Sequence, residues 1–276
     1  MANFQRINRT LKAFKSLIVP LALLCLWEVL ARNHVILETV YSLFGYSKEK
    51  IPDFPFISSV SQILSSLSVM VQKREFYSLL GNTLMVLSLS FSLSLILGVL
   101  GGSIIGLSRK IEGYVFSTVD ALRSVPPIVL LPLFILFLGI DDSMKIAFVL
   151  FGGVWPILIN TFFGIRNIDP IYLKVARNLQ LSKRNMITRV IFPLALPAIF
   201  TGIKLSLSLC LILTIVCEMS IGNKGLGFLI NISKRNGEYH DMFAGILVVA
   251  IVGWLINKLF KYVDQSFLNW YYKSQK

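Results

Sequence analysis

Residues 84–107 read LMVLSLSFSLSLILGVLGGSIIGL, 24 consecutive residues without a charge. Within them, Leu87 to Leu95 (LSLSFSLSL) alternates apolar and hydroxyl side chains with the period of a half-buried strand. The length argues otherwise. About 20 mainly apolar residues cross the roughly 30 Å hydrocarbon core of a bilayer as a helix, whereas a lone strand there leaves its N–H and C=O groups without partners. Serine hydroxyls return hydrogen bonds to the carbonyl one turn back, which lowers their cost in a membrane helix. Helix is the better reading, and the chain is expected to be an all-α integral membrane protein.

Composition agrees. Of 276 residues, 55% are apolar and 15% charged, against about 45–50% and about 25% in soluble domains. Mean hydropathy is +0.73. So few polar side chains do not cover a water-facing surface. The same figures, with 18 Gly and 3 Cys, exclude disorder, a collagen-like repeat and a disulfide scaffold. Six spans are expected: Ala13–Ala31, Leu84–Leu107, Val115–Ile140, Ile146–Ile165, Leu194–Val216 and Met242–Leu259. The third is interrupted by Asp120, Arg123 and the pair Pro126-Pro127, and with Pro132 these prolines must break it. Broken membrane helices are tolerated where they line a cavity or lie buried in protein. The first follows Arg6, Arg9, Lys12 and Lys15 as a signal peptide would. It lacks a small-x-small cleavage site and carries Glu28 where one belongs, so an uncleaved anchor is preferred.

The net charge of +13 then becomes topology. Residues 1–15, 108–113, 166–190 and the tail from Lys258 hold 16 Lys and Arg against three acids, while the opposite loops hold nine against nine. The positive-inside rule therefore places both termini in the cytoplasm. Nucleic acid is not the expected partner, since no helix-turn-helix, zinc-finger or aromatic RNP-type stretch accompanies the charge. Tyr262, Trp270, Tyr271 and Tyr272 fit an aromatic belt with a basic tail against the lipid bilayer, or ordinary packing.

Two extramembrane segments carry pattern. From Arg32 to Thr83, Val60, Ile63, Leu64, Leu67 and Val71 recur at helical spacing behind Ser58 as N-cap. This helix either lies on the outer surface or covers the bundle. The inner segment Asn167–Val190 opens with Asp169 as N-cap and Pro170 at the first helical position, continues IYLKVARNL, and reaches Ser182 as cap of a second short helix, KRNMITRV. Two short helices exceed what a connection needs, and a second polypeptide is expected to dock there.

Catalytic chemistry is sparse. His34 and His240 lack any HExxH setting and read as surface decoration rather than a metal site. Cys25, Cys210 and Cys217 read as small apolar residues of spans. No phosphate-binding G-x-x-x-x-G-K-[ST] occurs, so this chain should not hydrolyse nucleotide and should hold no cofactor. Asp120 and Arg123, one turn apart, form either a structural pair or part of a translocation route. Glu28 has no evident partner, and Lys204 can snorkel to the inner interface. Gly98, Gly102 and Gly106 give a smooth helix face suited to close packing rather than pore lining.

The stretch VARNLQLSKRNMITRVIFPLALPAIFTGIKLSL (175–207), continuing as CEMSIGNKGLGFLI (217–230), resembles the permease subunits of binding-protein-dependent ABC importers. LRSVPPIVLLPLFILFLGI (122–140) is similar to that family's proline-broken third helix. The likeness spans roughly Tyr77 to Tyr262 and points to the nitrate, sulfonate, taurine and pyrimidine-precursor branch of the type I permeases. It implies that the inner loop is the EAA motif that docks on a cytoplasmic ATPase. Ala176, Arg177, Leu179, Pro193 and Pro197 match; Arg184 lies in the same coupling stretch; the motif's leading acid falls on Lys174 and its usual glycine on Gln180. These two departures bear on the turn's shape and its electrostatic match. The resemblance further implies ATP and Mg on the partner ATPase, an extracytoplasmic solute-binding protein, a homodimer and a multi-pass protein of the cytoplasmic membrane. It assigns Glu218, Met219, Gly225 and Gly227 to an outer re-entrant or gate region, while Asp120, Arg123, Pro126 and Pro127 stand as candidates for a translocation path on their own position within a span. A helix-ending carboxylate with two turn glycines explains the Glu218 group equally.

The expected layout is an N-terminal segment (1–76), a permease domain (77–262) and a basic tail (263–276). The expected function is movement of a small solute such as nitrate, a sulfonate or taurine. The alternative, a stand-alone secondary transporter, needs inverted repeats or an intramembrane acid chain, and an intramembrane enzyme needs a paired nucleophile and base. Neither pattern is present in the sequence.

Overall fold

The computed structural model describes residues 58–221 and 223–274, and helical positions 18, 22, 23, 25–29, 31 and 43 before them. Most of the Ala13–Ala31 span, His34 and the stretch 44–57 therefore lie outside the described residues. Among the described residues there is no strand. Contacts divide the chain into one unit of Met1–Phe76 with Ile230–Leu247 and another of Tyr77–Leu229 with Val248–Lys276.

In the first unit, helix α1 (Val60–Gln72) is capped by Ser59 rather than the expected Ser58. Only Ser59 has a glutamine three residues on, and Ser59 and Gln62 form a reciprocal capping box. Ser58 is buried instead. Its hydroxyl lies 2.8 Å from His240 Nδ1, and its carbonyl accepts the Trp27 indole N–H at 2.9 Å. The Ser61 hydroxyl donates to Glu28 at 3.0 Å. His240 is thus an exposed residue, as expected, that also has a structural partner, and Glu28 has a partner that its own neighbourhood in the sequence does not reveal.

The second unit begins in α2 (Arg74–Leu107), where the alternating serines behave as helix residues. Ser90 Oγ donates to the Val86 carbonyl at 2.7 Å and Ser94 Oγ to the Ser90 carbonyl at 2.8 Å. After Ser108 the chain enters α3 (Arg109–Ser124) directly, so residues 108–113, expected as a loop, are the cap and first turn of a helix. The apolar stretch breaks at Val125-Pro126, runs through a 3-10 turn (Pro127–Leu130) and resumes as α4 (Leu131–Leu138). The bend is 83°. Pro132 does not add a break: it sits in the first turn of α4, where its missing N–H costs nothing.

Helix α5 (Asp142–Arg166) is followed by α6 (Pro170–Asn178) and by α7, which runs 39 residues from Lys183 to Ile221. The second short helix expected after Ser182 is therefore the first two turns of α7. Pro193 does not end α7. The backbone absorbs the proline with a π-turn over Ile187–Ile191, in which the Phe192 N–H bonds the Ile187 carbonyl. The unit ends with α8 (Leu226–Asn236), which it shares with the first unit, then α9 (Tyr239–Phe267) and α10 (Asn269–Ser274). Among the described residues, α2, α5, α7 and α9 are long and apolar enough to cross a membrane, against six spans expected, and the bent α3–α4 pair makes a fifth where it crosses as one span rather than as a re-entrant loop.

Close contact through glycine holds α2, α5 and α7 together. A Cβ at Gly98 would lie 2.7 Å from Ile157 Cβ, and one at Gly102 2.4 Å from the Leu158 carbonyl oxygen. On the other side of α5, a Cβ at Gly153 would lie 2.4 Å from Cys210 Sγ. Gly202 of α7 faces the Pro156 carbonyl just as tightly, at 2.7 Å. The α2 glycine face is thus a packing face. Met144, Phe148, Val149, Cys210, Leu213 and Cys217 form the apolar core between α5 and α7.

Gly102→Ala is expected to lower stability by about 1–3 kcal/mol through overpacking, read as a lower melting temperature in detergent. Gly113→Ala, in α3 with no atom within 4 Å of the new Cβ, serves as the control. It should leave stability unchanged or raise it by about 0.5–1 kcal/mol.

Candidate functional site

The loop between α5 and α7 is built from its caps. Asp169 Oδ1 accepts the Ile171 N–H at 2.8 Å and Pro170 occupies the first helical position, so α6 starts where the sequence places it. At its other end the Gln180 N–H bonds the Arg177 carbonyl at 2.9 Å and the Leu181 N–H bonds the Ala176 carbonyl at 3.1 Å. This is a Schellman cap, which requires a left-handed residue after the helix. That residue is Gln180, at φ +51° and the only non-glycine with positive φ among the described residues. The position where a glycine is usual is therefore one where glycine is physically favoured, and the chain holds the same turn with a glutamine. Ser182 then caps α7, accepting from the Asn185 N–H at 3.4 Å.

Helix α6 has two unlike sides. Ala176 is buried, and Leu173 packs on the cluster of Ile165, Ile191, Ala195 and Ile199. Ile171, Tyr172, Val175 and Leu179 are each more than half exposed, although the loop is not part of a span. Lys174, Arg177 and Arg184 are exposed around them. At the entrance to the loop, Arg166 pairs with Glu112 of α3 and donates to the Gly106 carbonyl of α2 at 3.4 Å. The loop is thus anchored on one side and offers a row of apolar side chains rimmed with positive charge on the other.

The opposite end of α7 holds a second arrangement. Glu218 is fully buried and accepts the Gly227 N–H at 2.9 Å. The hydroxyl of Thr83, on α2, donates to the same carboxylate at 2.9 Å and accepts the Leu226 N–H at 2.8 Å. Gly225, at φ +103°, lies so close that a Cβ there would sit 2.1 Å from Glu218 Cδ, and one at Gly227 would meet the Ile215 carbonyl at 2.4 Å. The carboxylate is therefore wrapped by the turn that follows it and caps the first turn of α8. Near this clasp, Lys145 is buried and paired with Asp142 at 2.9 Å, and Asn82 donates to Asp142 at 3.1 Å.

Sequence reasoning singled out Glu218, Gly225 and Gly227, and the structure brings them together. It missed Thr83, Asn82, Asp142 and Lys145. Asp142 and Lys145 stand three apart at the head of an apolar run, which is a usable signal for a paired helix start. Thr83 carries none, because its partners are 135 and 143 residues away. Asp120 and Arg123 form an exposed ion pair at 2.6 Å at the end of α3, apart from this clasp. Pro126 and Pro127 form the bend that follows. Among the described residues no group of three His, Cys, Asp or Glu converges as a metal site would require.

Residues 94–268 match the family model described as "Binding-protein-dependent transport system inner membrane component". The chain is 30% identical over 256 residues to the putative aliphatic sulfonates transport permease protein SsuC of Bacillus subtilis (strain 168), covering 93% of this chain and 87% of that protein. It is 31% identical over 176 residues to the nitrate import permease protein NrtB of Leptolyngbya laminosa, covering 64% of this chain and 63% of that protein. Its fold is similar to a chain of the MetNI methionine ABC transporter solved in inward-facing conformations. The TM-score there is 0.60 at 19% identity, over 67% of this chain and 93% of that one.

Gln180→Gly is expected to tighten the Schellman turn by about 1 kcal/mol, since a non-glycine residue costs about 1–2 kcal/mol in this conformation and glycine returns part of that in entropy. Gln180→Val should loosen it. Amide hydrogen exchange at residues 180 and 181 reads both. Thr83→Val leaves the Leu226 N–H and one face of Glu218 unpaired and is expected to cost about 1–3 kcal/mol, whereas Thr83→Ser should keep most of that stability in the same melting measurement.

Proposed function

Because the chain belongs to the family of binding-protein-dependent transport system inner membrane components, we propose that its α6 loop is the seat of a separate ATPase subunit. The protein is the membrane-spanning permease of an ABC importer and a multi-pass protein of the inner membrane. One observation carries the docking proposal. Ile171, Tyr172, Val175 and Leu179 form an apolar row on a water-facing loop, where solvent exposure has a cost unless a partner covers it. Lys174, Arg177 and Arg184 border the row and fit an acidic rim on that partner.

Orientation follows from charge: the α6 loop and both termini face the cytoplasm, and the Glu218 clasp lies at the outer end of α7. The permease works as a homodimer, each copy presenting one loop to one ATPase. ATP and Mg belong to that partner, whose higher affinity for nucleotide in its closed state drives the change. A solute-binding protein delivers the cargo at the outer face. Cargo is a small anion, a sulfonate, nitrate or related compound, in keeping with the names of the similar permeases.

The chain's own residues relay the stroke. Leu173 and Ala176 fix α6 to the base of α7, and Arg166 ties the loop entrance to α2 and α3. Displacement of α6 therefore moves α7, a rod of 39 residues that at about 1.5 Å per residue carries the motion to Glu218. In this reading Glu218 holds the outer turn in place and does not carry solute.

Val175→Ser combined with Leu179→Ser is expected to lower uptake by roughly tenfold or more, the loss typical of central interface residues. The ATPase should be lost from the purified permease, and the melting temperature should stay unchanged because both side chains already face water. Uptake intact, with the ATPase retained at wild-type yield, sinks the docking assignment.

A further inference from the structure

A groove of about 1460 Å³ opens between the Pro197–Lys204 part of α7 and the far half of α9 with α10, apart from the α6 loop and the Glu218 clasp. Lys204 comes from α7, and Lys258 and Lys261 from α9. All three are exposed, and among the described residues none forms an ion pair. The one acid in the lining is Asp264, so the groove carries excess positive charge. Trp254 forms an apolar wall, and Lys258 Nζ stands 4.6 Å from its ring centroid.

The lysines share a depth. At about 1.5 Å per residue, Lys204 lies roughly 25 Å from the Ile221 end of α7. Lys258 and Lys261 line the same groove and so stand at about the level of Lys204. With the Ile221 end of α7 at the far membrane face, a hydrocarbon core about 30 Å thick puts the three ammonium groups at headgroup level rather than inside the expected Leu194–Val216 span, with Trp254 one turn towards the acyl chains. Tryptophan and lysine at this level are the usual anchors of a lipid interface.

We propose that this groove binds the phosphate headgroup of an anionic phospholipid, with the start of its acyl chains against Trp254. Size agrees: the volume exceeds the roughly 300–1,000 Å³ of a site for a compact soluble ligand. Charge favours lipid over a second copy of the chain. A two-fold contact presents the same patch from both sides, which would set the two sets of lysines against each other. With the orientation proposed above, the leaflet is the inner one, whose anionic lipids attract basic residues by about 1 kcal/mol each. The chemistry of the site does not rest on that orientation or on the ATPase reading.

The test is native mass spectrometry of the full chain equilibrated with equal amounts of phosphatidylglycerol and phosphatidylcholine. The wild type should retain phosphatidylglycerol with at least a roughly tenfold preference. The variant Lys204→Gln with Lys258→Gln and Lys261→Gln should fall to within about twofold of no preference, and the matching triple Lys→Arg variant should keep it. Should the triple glutamine variant not fold, Lys258→Gln alone reads the same ratio. An unchanged preference in the glutamine variant overturns the proposal. So does a loss of preference accompanied by a dimer becoming a monomer in the same spectrum, which would make the groove a subunit contact. Displacement of the retained lipid by inorganic phosphate alone would overturn the lipid assignment.

Discussion

A backbone polar group inside hydrocarbon has no water to turn to, and most of this structure's special features answer that constraint. Long regular helices satisfy it without help. Each departure from regularity needs a named substitute. Pro156 sits inside α5 and withholds an N–H from the Gly152 carbonyl, and beside it the Ser206 hydroxyl donates to the Gly153 carbonyl at 2.6 Å while Asn160 donates to the Pro156 carbonyl at 2.8 Å. Pro193 is met by a π-turn. At the Ile221 end of α7, the N–H groups of Leu226 and Gly227, orphaned at the start of α8, are taken up by Thr83 and Glu218. A buried carboxylate is costly unless its oxygens are occupied, and here the donors are the Thr83 hydroxyl of α2 and the Gly227 N–H of α8, so one group ties α2 to the start of α8.

The same substitutions explain why glycines cluster on α5 and α7. A hydroxyl reaches a carbonyl on a neighbouring helix only if the helices approach closely, and Gly152, Gly153 and Gly202 permit that approach. Packing and hydrogen bonding are therefore coupled. A side chain at Gly153 would displace Cys210 and Ser94 and disturb the polar repair around the proline. The α5–α7 pair consequently behaves as one body, which is what a lever between two faces of a membrane needs.

Sequence revealed whatever depends on composition and local period. The apolar spans, the break at Pro126, the caps at Asp169 and Ser182 and the glycine face of α2 all follow from residues within a turn or two of each other. The second short helix starts after Ser182 as expected but runs on into α7, because a π-turn carries the backbone into Pro193 without a break. Gln180 is instructive in another way. Its position was legible as unusual from resemblance, and its physical meaning, a left-handed residue closing a Schellman cap, needed the backbone. Thr83, Asn82 and the His240–Ser58 contact were illegible because their partners are distant in the chain, and a lone polar residue near a helix end looks the same whether it faces water or a carboxylate.

The Glu218 clasp limits how the two ends of α7 can communicate. If α7 rotated alone, Glu218 would have to leave Thr83 and Gly227, exposing a carboxylate to an apolar core, at a cost of several kcal/mol for an unpaired buried charge. If α2 and the first turn of α8 move with it, every one of those bonds survives. At the other end Arg166 spans Gly106 of α2 and Glu112 of α3, so the same helices are engaged there too. Polar ties at both ends and glycine contacts between them favour motion of α2, α5 and α7 as a rigid group. Bending is then left to the segment that already lacks continuous backbone hydrogen bonding, the turn at Val125–Leu130.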